Sequence, residues 1–372
     1  MRIAMIGHKR FGSREGGVEV VVTGLARRMA ALGHEVTCYD RSGRDVMTGE
    51  DASSERLIDG VHIVPVKTVD ARGFAALSSS FFATLRAIRQ RPDVVHYHAE
   101  GPCVPLRLAH WAGLRTVATI HGLDWQRAKW GCLASWYIKF GERTAARCAD
   151  VVIVLSESAR DYFQEAYGRE TVIVPNGVEP RELLPAREIA ERWNLGKCSY
   201  ILFLGRIVPE KRVDLLIKAF RGLNTDKRLV IAGAASDTSE YLDRVKELAA
   251  NDSRILFTGF VSGRPLEELY SNAYCYVLPS DVEGMPLSLL EAMSYGTACV
   301  TSDIPECAAV LAGSGATFSA GEVEALQEVL TELLADPNVA KALGESGRNH
   351  VRTTYDWDSV VRRTLGLYEA VR

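Results

Sequence analysis

Absences narrow the possibilities first. No apolar stretch of this 372-residue chain approaches the roughly 18 residues that a membrane-crossing helix needs, so no transmembrane helix is expected. The eight cysteines (38, 103, 132, 148, 198, 275, 299 and 307) show neither a Cys-x-x-Cys pair nor a zinc-finger spacing. Several lie inside apolar runs and read as reduced core residues of a cytosolic protein. Positive charge is not in excess: 44 Lys and Arg face 47 Asp and Glu, a net charge of −3, which argues against a nucleic-acid partner. Internal repeats and low-complexity segments are missing, as are a full Gly-x-Gly-x-x-Gly fingerprint and a P-loop lysine. The opening residues, Met1-Arg2-Ile3-Ala4-Met5-Ile6-Gly7, turn polar too soon for a signal peptide and read as a first β-strand.

Present instead is the composition of an ordinary globular protein, 47% hydrophobic and 24% charged, at a length that suits two to three domains. Short apolar runs alternate with helical patterns. In the first half, strands are expected at 3–6, 35–39, 61–66, 94–97, 116–120, 151–155 and 171–174. Helices are expected at 18–32, 74–89, 133–147 and 157–167. A Pro- and Gly-rich stretch from Pro175 to Pro185 reads as a hinge. A second series follows, with strands at 200–204, 228–232, 255–257, 275–278 and 298–301, each trailed by a helix. Buried strands alternating with helices imply an α/β fold: two doubly wound, Rossmann-like domains facing a cleft.

The densest chemical signal is Glu283-Gly284-Met285-Pro286-Leu287-Ser288-Leu289-Leu290-Glu291, which follows the expected strand at 274–279. Strand, turn and helix start make an anion site, because unpaired N–H groups and the helix dipole converge there. Pro286 is pre-set for a first helical turn. Glu291 lies about five residues into the helix, ~7–8 Å further along. One carboxylate at the mouth and one deeper suit a nucleotide diphospho-sugar, polar at both ends and anionic in the middle.

Four other segments carry candidates. Gly205-Arg206-Ile207-Val208-Pro209-Glu210-Lys211 follows a strand, where Arg206 and Lys211 would neutralise a pyrophosphate; it also reads as a solvated loop with a salt bridge to Glu210. Gly16 and Gly17, after the first strand, would let backbone approach a phosphate or sugar, or would simply make a tight connection. His121 ends a strand and would hydrogen-bond a sugar hydroxyl, with Asp124 acting on an acceptor; a structural histidine is the other reading. Trp125, Lys129, Trp130, Trp136, Tyr137 and Lys139 form an aromatic and basic stretch. The helical spacing of Leu133, Trp136, Tyr137 and Phe140 reads as core, and a peripheral membrane or lipid-acceptor surface is the alternative. Asp356-Trp357-Asp358 spells a metal-binding Asp-x-Asp but reads as the cap of a last helix at 359–371, with Trp357 packed on a domain, so no metal is expected.

Together these pieces resemble glycosyltransferase family four, retaining nucleotide-sugar transferases of the GT-B fold, over nearly the whole chain. Glu283 and Glu291 look like that family's paired glutamates, and Arg206 and Lys211 like its diphosphate-binding pair. Gly16, Gly17 and His121 resemble its N-domain donor contacts, and the helix after Asp356 looks like the one that crosses back to the N-domain. The resemblance implies an N-terminal domain of 1–176 completed by helix 357–372, and a nucleotide-sugar-binding domain of 177–356. It implies transfer from a nucleotide diphospho-sugar to an acceptor hydroxyl, with no cofactor beyond that co-substrate. Glu283 would bind the donor sugar and Glu291 the ribose. Backbone from Gly284 through Met285 to Leu287 would cap the diphosphate, and Phe260 would touch the base. A polysaccharide-building enzyme of the cytoplasm or the inner membrane face is the expected setting, with a lipid-linked glycan among the acceptors. A GT-B epimerase and a non-catalytic partner subunit are the competing readings.

Overall fold

The computed structural model describes all residues except 15, 44–53, 70–73, 127–130, 236–238 and 372. Glu15, Lys129 and Trp130 of the sequence motifs lie outside the described residues. The chain divides into two compact units, Met1–Gly177 with Trp357–Arg372, and Val178–Asp356.

The first unit is built on strands β1 (Arg2–Ile6), β2 (Glu35–Arg41), β3 (Arg56–Ile58), β4 (Val61–Val66), β5 (Val94–His98), β6 (Thr116–Ile120), β7 (Val151–Val154) and β8 (Val172–Ile173). Helices α1 (Gly17–Ala31), α2 (Phe74–Gln90), α3 (Leu106–Trp111), α4 (Cys132–Cys148) and α5 (Glu157–Tyr167) accompany them. The sheet order is β3-β4-β2-β1-β5-β6-β7-β8, parallel except for the β3–β4 pair. β5 and β6 are buried along their whole length, as strands covered on both faces must be. The antiparallel β3 was not expected. Its signal is the dipeptide Asp59-Gly60, whose two residues have φ of 51° and 78°, the left-handed pair that closes a two-residue hairpin.

The second unit holds β9 (Tyr200–Leu204), β10 (Arg228–Ala232), β11 (Ile255–Gly259), β12 (Cys275–Leu278), β13 (Ala298–Ser302) and β14 (Ala316–Phe318). Its helices are α6 (Glu188–Trp193), α7 (Val213–Arg221), α8 (Ser239–Ala249), α9 (Arg264–Asn272), α10 (Leu287–Ser294), α11 (Pro305–Leu311), α12 (Val323–Ala335) and α13 (Pro337–Thr354). The order β11-β10-β9-β12-β13-β14 is parallel throughout.

Both sheets are doubly wound. In the first, the chain runs outward from β1 on one side and from β5 on the other; in the second, from β9 and from β12. At such a switch point the loops after the two central strands part to opposite faces, leaving a crevice at the carboxyl edge. Neighbouring strand ends come very close at two glycines. A Cβ on Gly7, after β1, would collide with the carbonyl of His98, and one on Gly233, after β10, with the carbonyl of Gly205. Both glycines also have positive φ (124° and 150°), so a side chain is excluded twice over.

The chain ends in α14 (Trp357–Ala370), which belongs to the first unit. It begins two residues earlier than expected, so Asp358 lies in its first turn and Asp356 immediately precedes it. Trp357 is buried against Gly24 of α1 and Gly177, and the guanidinium of Arg28 lies 4.8 Å from its ring centroid. At the other end, the buried Tyr368 hydroxyl meets His96 Nδ1 at 2.5 Å. Gly24 is thus kept for space in the middle of a helix, where alanine would otherwise be the better residue. A Cβ there would stand 2.5 Å from Trp357 Cζ2. Gly24→Ala should therefore destabilise by about 1–3 kcal/mol through overpacking, and Trp357→Ala by about 3–5 kcal/mol. Urea unfolding of both variants is the measurement; a Gly24→Ala protein as stable as the parent contradicts this packing.

Candidate active site

The second-unit site grows from the β9/β12 switch point. After β9 the chain passes Gly205 and Arg206, makes a short 3-10 turn over Pro209–Lys211, and enters α7 through Arg212 at φ 49°. After β12 it passes Asp281 and Glu283 before α10. The two loops are tied together. Asp281 N–H donates to the Glu210 carbonyl at 2.9 Å, and Arg212 Nη1 donates to Asp281 at 2.9 and 3.2 Å. Hydrogen bonding to Asp281 raises the Arg212 pKa, burial notwithstanding.

Within this frame Lys211 Nζ forms an ion pair with Glu283, the two side chains only 13% and 9% exposed. The alternative reading of this loop placed a salt bridge on Glu210. The Glu210 side chain is buried, and among the described residues neither of its carboxylate oxygens has a hydrogen-bond partner. Such a group is costly to keep, which marks the turn as built for something other than stability. A buried Lys–Glu pair holds a cation whose charge can be shared with an incoming anion.

α10 starts at Leu287, with Pro286 as N-cap at ψ 103° rather than in the first helical turn as expected, and no side chain caps it. Its dipole and first N–H groups face the turn Gly284–Pro286. Glu291 is the fifth helical residue; its Oε2 accepts from Tyr270 at 3.1 Å, and Tyr270 stacks on Tyr295 at 5.4 Å. The Tyr276 hydroxyl lies 2.7 Å from Ser288 Oγ and 3.2 Å from the Leu204 carbonyl, fixing the α10 start to the end of β9. Burial raises the Tyr276 pKa well above that of a free phenol, so it acts here as a neutral hydroxyl. Tyr270, Tyr276 and Asp281 carry no sequence signal of a site; they read as helix, strand and loop residues. Phe260 follows β11, the edge strand, and stands 39% exposed at the same carboxyl edge.

In the first unit the β1/β5 switch point gathers histidines. His8 follows β1, His96 and His98 end β5, and His121 follows β6. His98 Nδ1 and His121 Nε2 are 3.1 Å apart. His96 Nε2 contacts Thr119 Oγ1 at 2.7 Å, and burial lowers the His96 pKa to about 3, with His121 adding to the effect. Burial, and then His96, His121 and His8, hold the His98 pKa well below that of a free imidazole. His121, the half-buried member, is the one at the surface of the cluster. Ala99, between His98 and Glu100, has φ 70°, a strained backbone at a site rim.

Gly16 and Gly17 sit at the start of α1, Gly16 as its extended N-cap. Buried Glu19 turns back, its Oε1 accepting Lys9 N–H at 2.9 Å, and a Cβ on Gly16 would meet its Oε2 at 2.5 Å. This helix start therefore carries its own anion, which suits a neutral sugar there better than a phosphate.

Two buried carboxyl groups pin the turn that bears Asp124. Glu100 Oε1 accepts Asp124 N–H at 2.9 Å, and burial, then the Asp124 charge, push the Glu100 pKa well up. Glu142, on α4, accepts from Trp125 Nε1 at 3.1 Å and from the Tyr162 hydroxyl at 2.8 Å, with the Tyr167 hydroxyl as a third donor. The sequence reading passed over both. Glu142→Ala should cost at least about 1–3 kcal/mol for the donors left unsatisfied. It should also expose Trp125, read as a red shift of tryptophan emission; unchanged stability and emission contradict the pinning.

Three kinds of likeness bear on this geometry. The model described as Glycosyltransferase Family 4 matches residues 15–182, and that described as Glycosyl transferases group 1 matches residues 186–350. A GDP-mannose-dependent alpha-(1-6)-phosphatidylinositol monomannoside mannosyltransferase of Mycolicibacterium smegmatis is 30% identical over 294 residues, covering 71% of this chain and 73% of that protein. The alpha-maltose-1-phosphate synthase of the same organism is 28% identical over 406 residues, 100% of both. In fold, a sucrose-phosphate synthase from Thermosynechococcus elongatus superposes with a TM-score of 0.81 over 100% of this chain and 98% of that one, at 20% identity; the architecture is GT-B. With a matching family model on either side of residue 182, and the doubly wound sheets that fold requires, the chain is a glycosyltransferase and belongs to glycosyltransferase family four.

Proposed function

We propose that this protein transfers a sugar, with retention at the anomeric carbon, from a nucleotide diphospho-sugar to an acceptor hydroxyl, in the assembly of a polysaccharide or glycoconjugate. The observation that carries this reading is the Lys211–Glu283 pair, set between the β9 and β12 loops in front of the uncapped start of α10. A diphosphate arriving there takes over Lys211, with Arg206 and the backbone of Gly284, Met285 and Leu287 as further donors. Glu283, released from the lysine, is then free to hold the donor sugar. Glu291, fixed by Tyr270, receives the ribose hydroxyls, and Phe260 lies against the base. In the first unit, His121 meets a sugar hydroxyl, the Gly16–Gly17 turn allows close approach of a sugar, and the pinned Asp124 faces the acceptor.

In the reaction the bond from the anomeric carbon to the diphosphate oxygen breaks and one to the acceptor oxygen forms. The acceptor proton passes to the departing phosphate, and the protein positions the partners and stabilises the leaving charge. No metal is required. The acceptor is a lipid-linked glycan met at the cytoplasmic face of a membrane. Among the described residues no helix is long and apolar enough to cross a bilayer, so the contact is peripheral.

Calorimetry with nucleoside diphosphates, on whichever of UDP, GDP, dTDP or ADP stabilises the protein most, tests the site. Lys211→Ala should weaken binding by about 1.5–3 kcal/mol, the scale of a hydrogen bond to a charged group. Glu283→Gln, which frees Lys211, should bind equally or more tightly while turnover falls. Equal weakening by both variants would remove Lys211 from the diphosphate. With the matching donor, NMR of the product should show the donor's anomeric configuration retained and activity unaffected by EDTA. Isomerisation of the donor without acceptor would replace transfer by epimerisation.

A further inference from the structure

The helical spacing of Leu133, Trp136, Tyr137 and Phe140 reads as core, with a peripheral membrane or lipid-acceptor surface as the alternative. Tyr137 does turn inward, its hydroxyl donating to the Gly101 carbonyl at 3.0 Å. Leu133 and Trp136 do not: they are 86% and 66% exposed, and Trp111 at the end of α3 is 71% exposed. These side chains form one continuous surface. Trp136 stacks on Phe140, centroids 5.8 Å apart and planes at 15°. The Arg107 guanidinium bridges the two helices, 5.4 Å from the Phe140 ring and 5.8 Å from the Trp111 ring.

The exposed charges of α4 itself have one sign. Lys139, Arg143 and Arg147 run along α4 at four-residue spacing beside the apolar row, all exposed. The only carboxylate on α4, Glu142, points the other way, buried on Trp125, Tyr162 and Tyr167. Asp150, beyond the end of α4, is taken up by Thr116 N–H at 2.7 Å. A helix with tryptophan and leucine on an outward row and cations beside it is suited to lie in the plane of a lipid interface. There indoles sit at headgroup depth and basic side chains reach anionic headgroups. The protein as a whole carries a net charge of −3, so attraction to an anionic surface must come from a local patch of this kind.

We propose that the Trp111–Leu133–Trp136–Phe140 face, with Arg107, Arg143 and Arg147, docks the first unit on an anionic lipid bilayer. This gives a place in the fold to the peripheral contact of the reading above, and it rests on that reading only for the purpose of the contact. The test uses the full chain and vesicles of phosphatidylcholine alone or with phosphatidylglycerol, followed by co-sedimentation and tryptophan emission. The protein should bind the anionic vesicles with a blue shift and release them in high salt. Leu133→Ser with Trp136→Ala, and separately Arg143→Glu with Arg147→Glu, should each lower binding by roughly tenfold or more, because insertion and charge act together. Both variants replace exposed side chains, so nucleoside-diphosphate affinity should be unchanged, and that measurement also reports folding. Three outcomes overturn the proposal: no binding, equal binding to both vesicle types, or a concentration-dependent dimer that Trp136→Ala dissolves, which would assign the face to a second copy of the chain. A protein that binds vesicles but no nucleotide would instead overturn the transfer reading and leave the docking surface standing.

Discussion

Strand order governs this molecule. In each sheet two neighbouring parallel strands send their loops to opposite sides, β1 and β5 in one unit, β9 and β12 in the other. Polar side chains and strand-end backbone therefore meet at the carboxyl edge of the central pair. At those edges lie the Lys211–Glu283 pair, the Glu210 carboxylate without a hydrogen-bond partner among the described residues, the cluster of His8, His96, His98 and His121, and the left-handed Ala99. Gly7, which lets the end of β1 come so close to the end of β5, is part of the same constraint.

Buried carboxyl groups serve different purposes in this molecule. Glu142 and Glu100 are spent on shape: one accepts from three side-chain donors, the other from a backbone N–H, and together they hold the Asp124 turn from both ends. Glu19 does the same for the start of α1. Glu283 differs in having a cationic partner, Lys211, rather than neutral donors. Glu291 stands between, oriented by one tyrosine yet half-buried. The distinction between a structural and a functional carboxylate thus rests on what it is bonded to, not on how deeply it is buried.

Much of this was legible in the chain. Runs such as Val94–His98 and Thr116–Ile120 could only be strands covered on both faces, and their alternation with helices left little but a doubly wound sheet. The Gly284–Pro286 turn before α10 was visible because glycine and proline state their backbone preferences locally. What went unseen had weak or misleading local signals. The three-residue strands β3 and β14 are too short for periodicity to register. The outward face of α4 was taken for core, because apolar residues at helical spacing look the same whether the next layer is protein or not.

The sequence by itself determined the element types and which residues end strands, since hydrophobic period and turn chemistry are properties of neighbouring residues. Pairings across long separations were decided only by the tertiary structure. Lys211 bonds to a residue 72 positions away and His96 to one 272 positions away, and no local pattern encodes either partner. The same holds for charge. That Glu283 faces a cation, Glu142 three neutral donors and Glu210 no hydrogen-bond donor follows from how strands β9 and β12 and helix α4 are stacked, because the field at a carboxylate is set by whatever folding brings within a few ångströms of it.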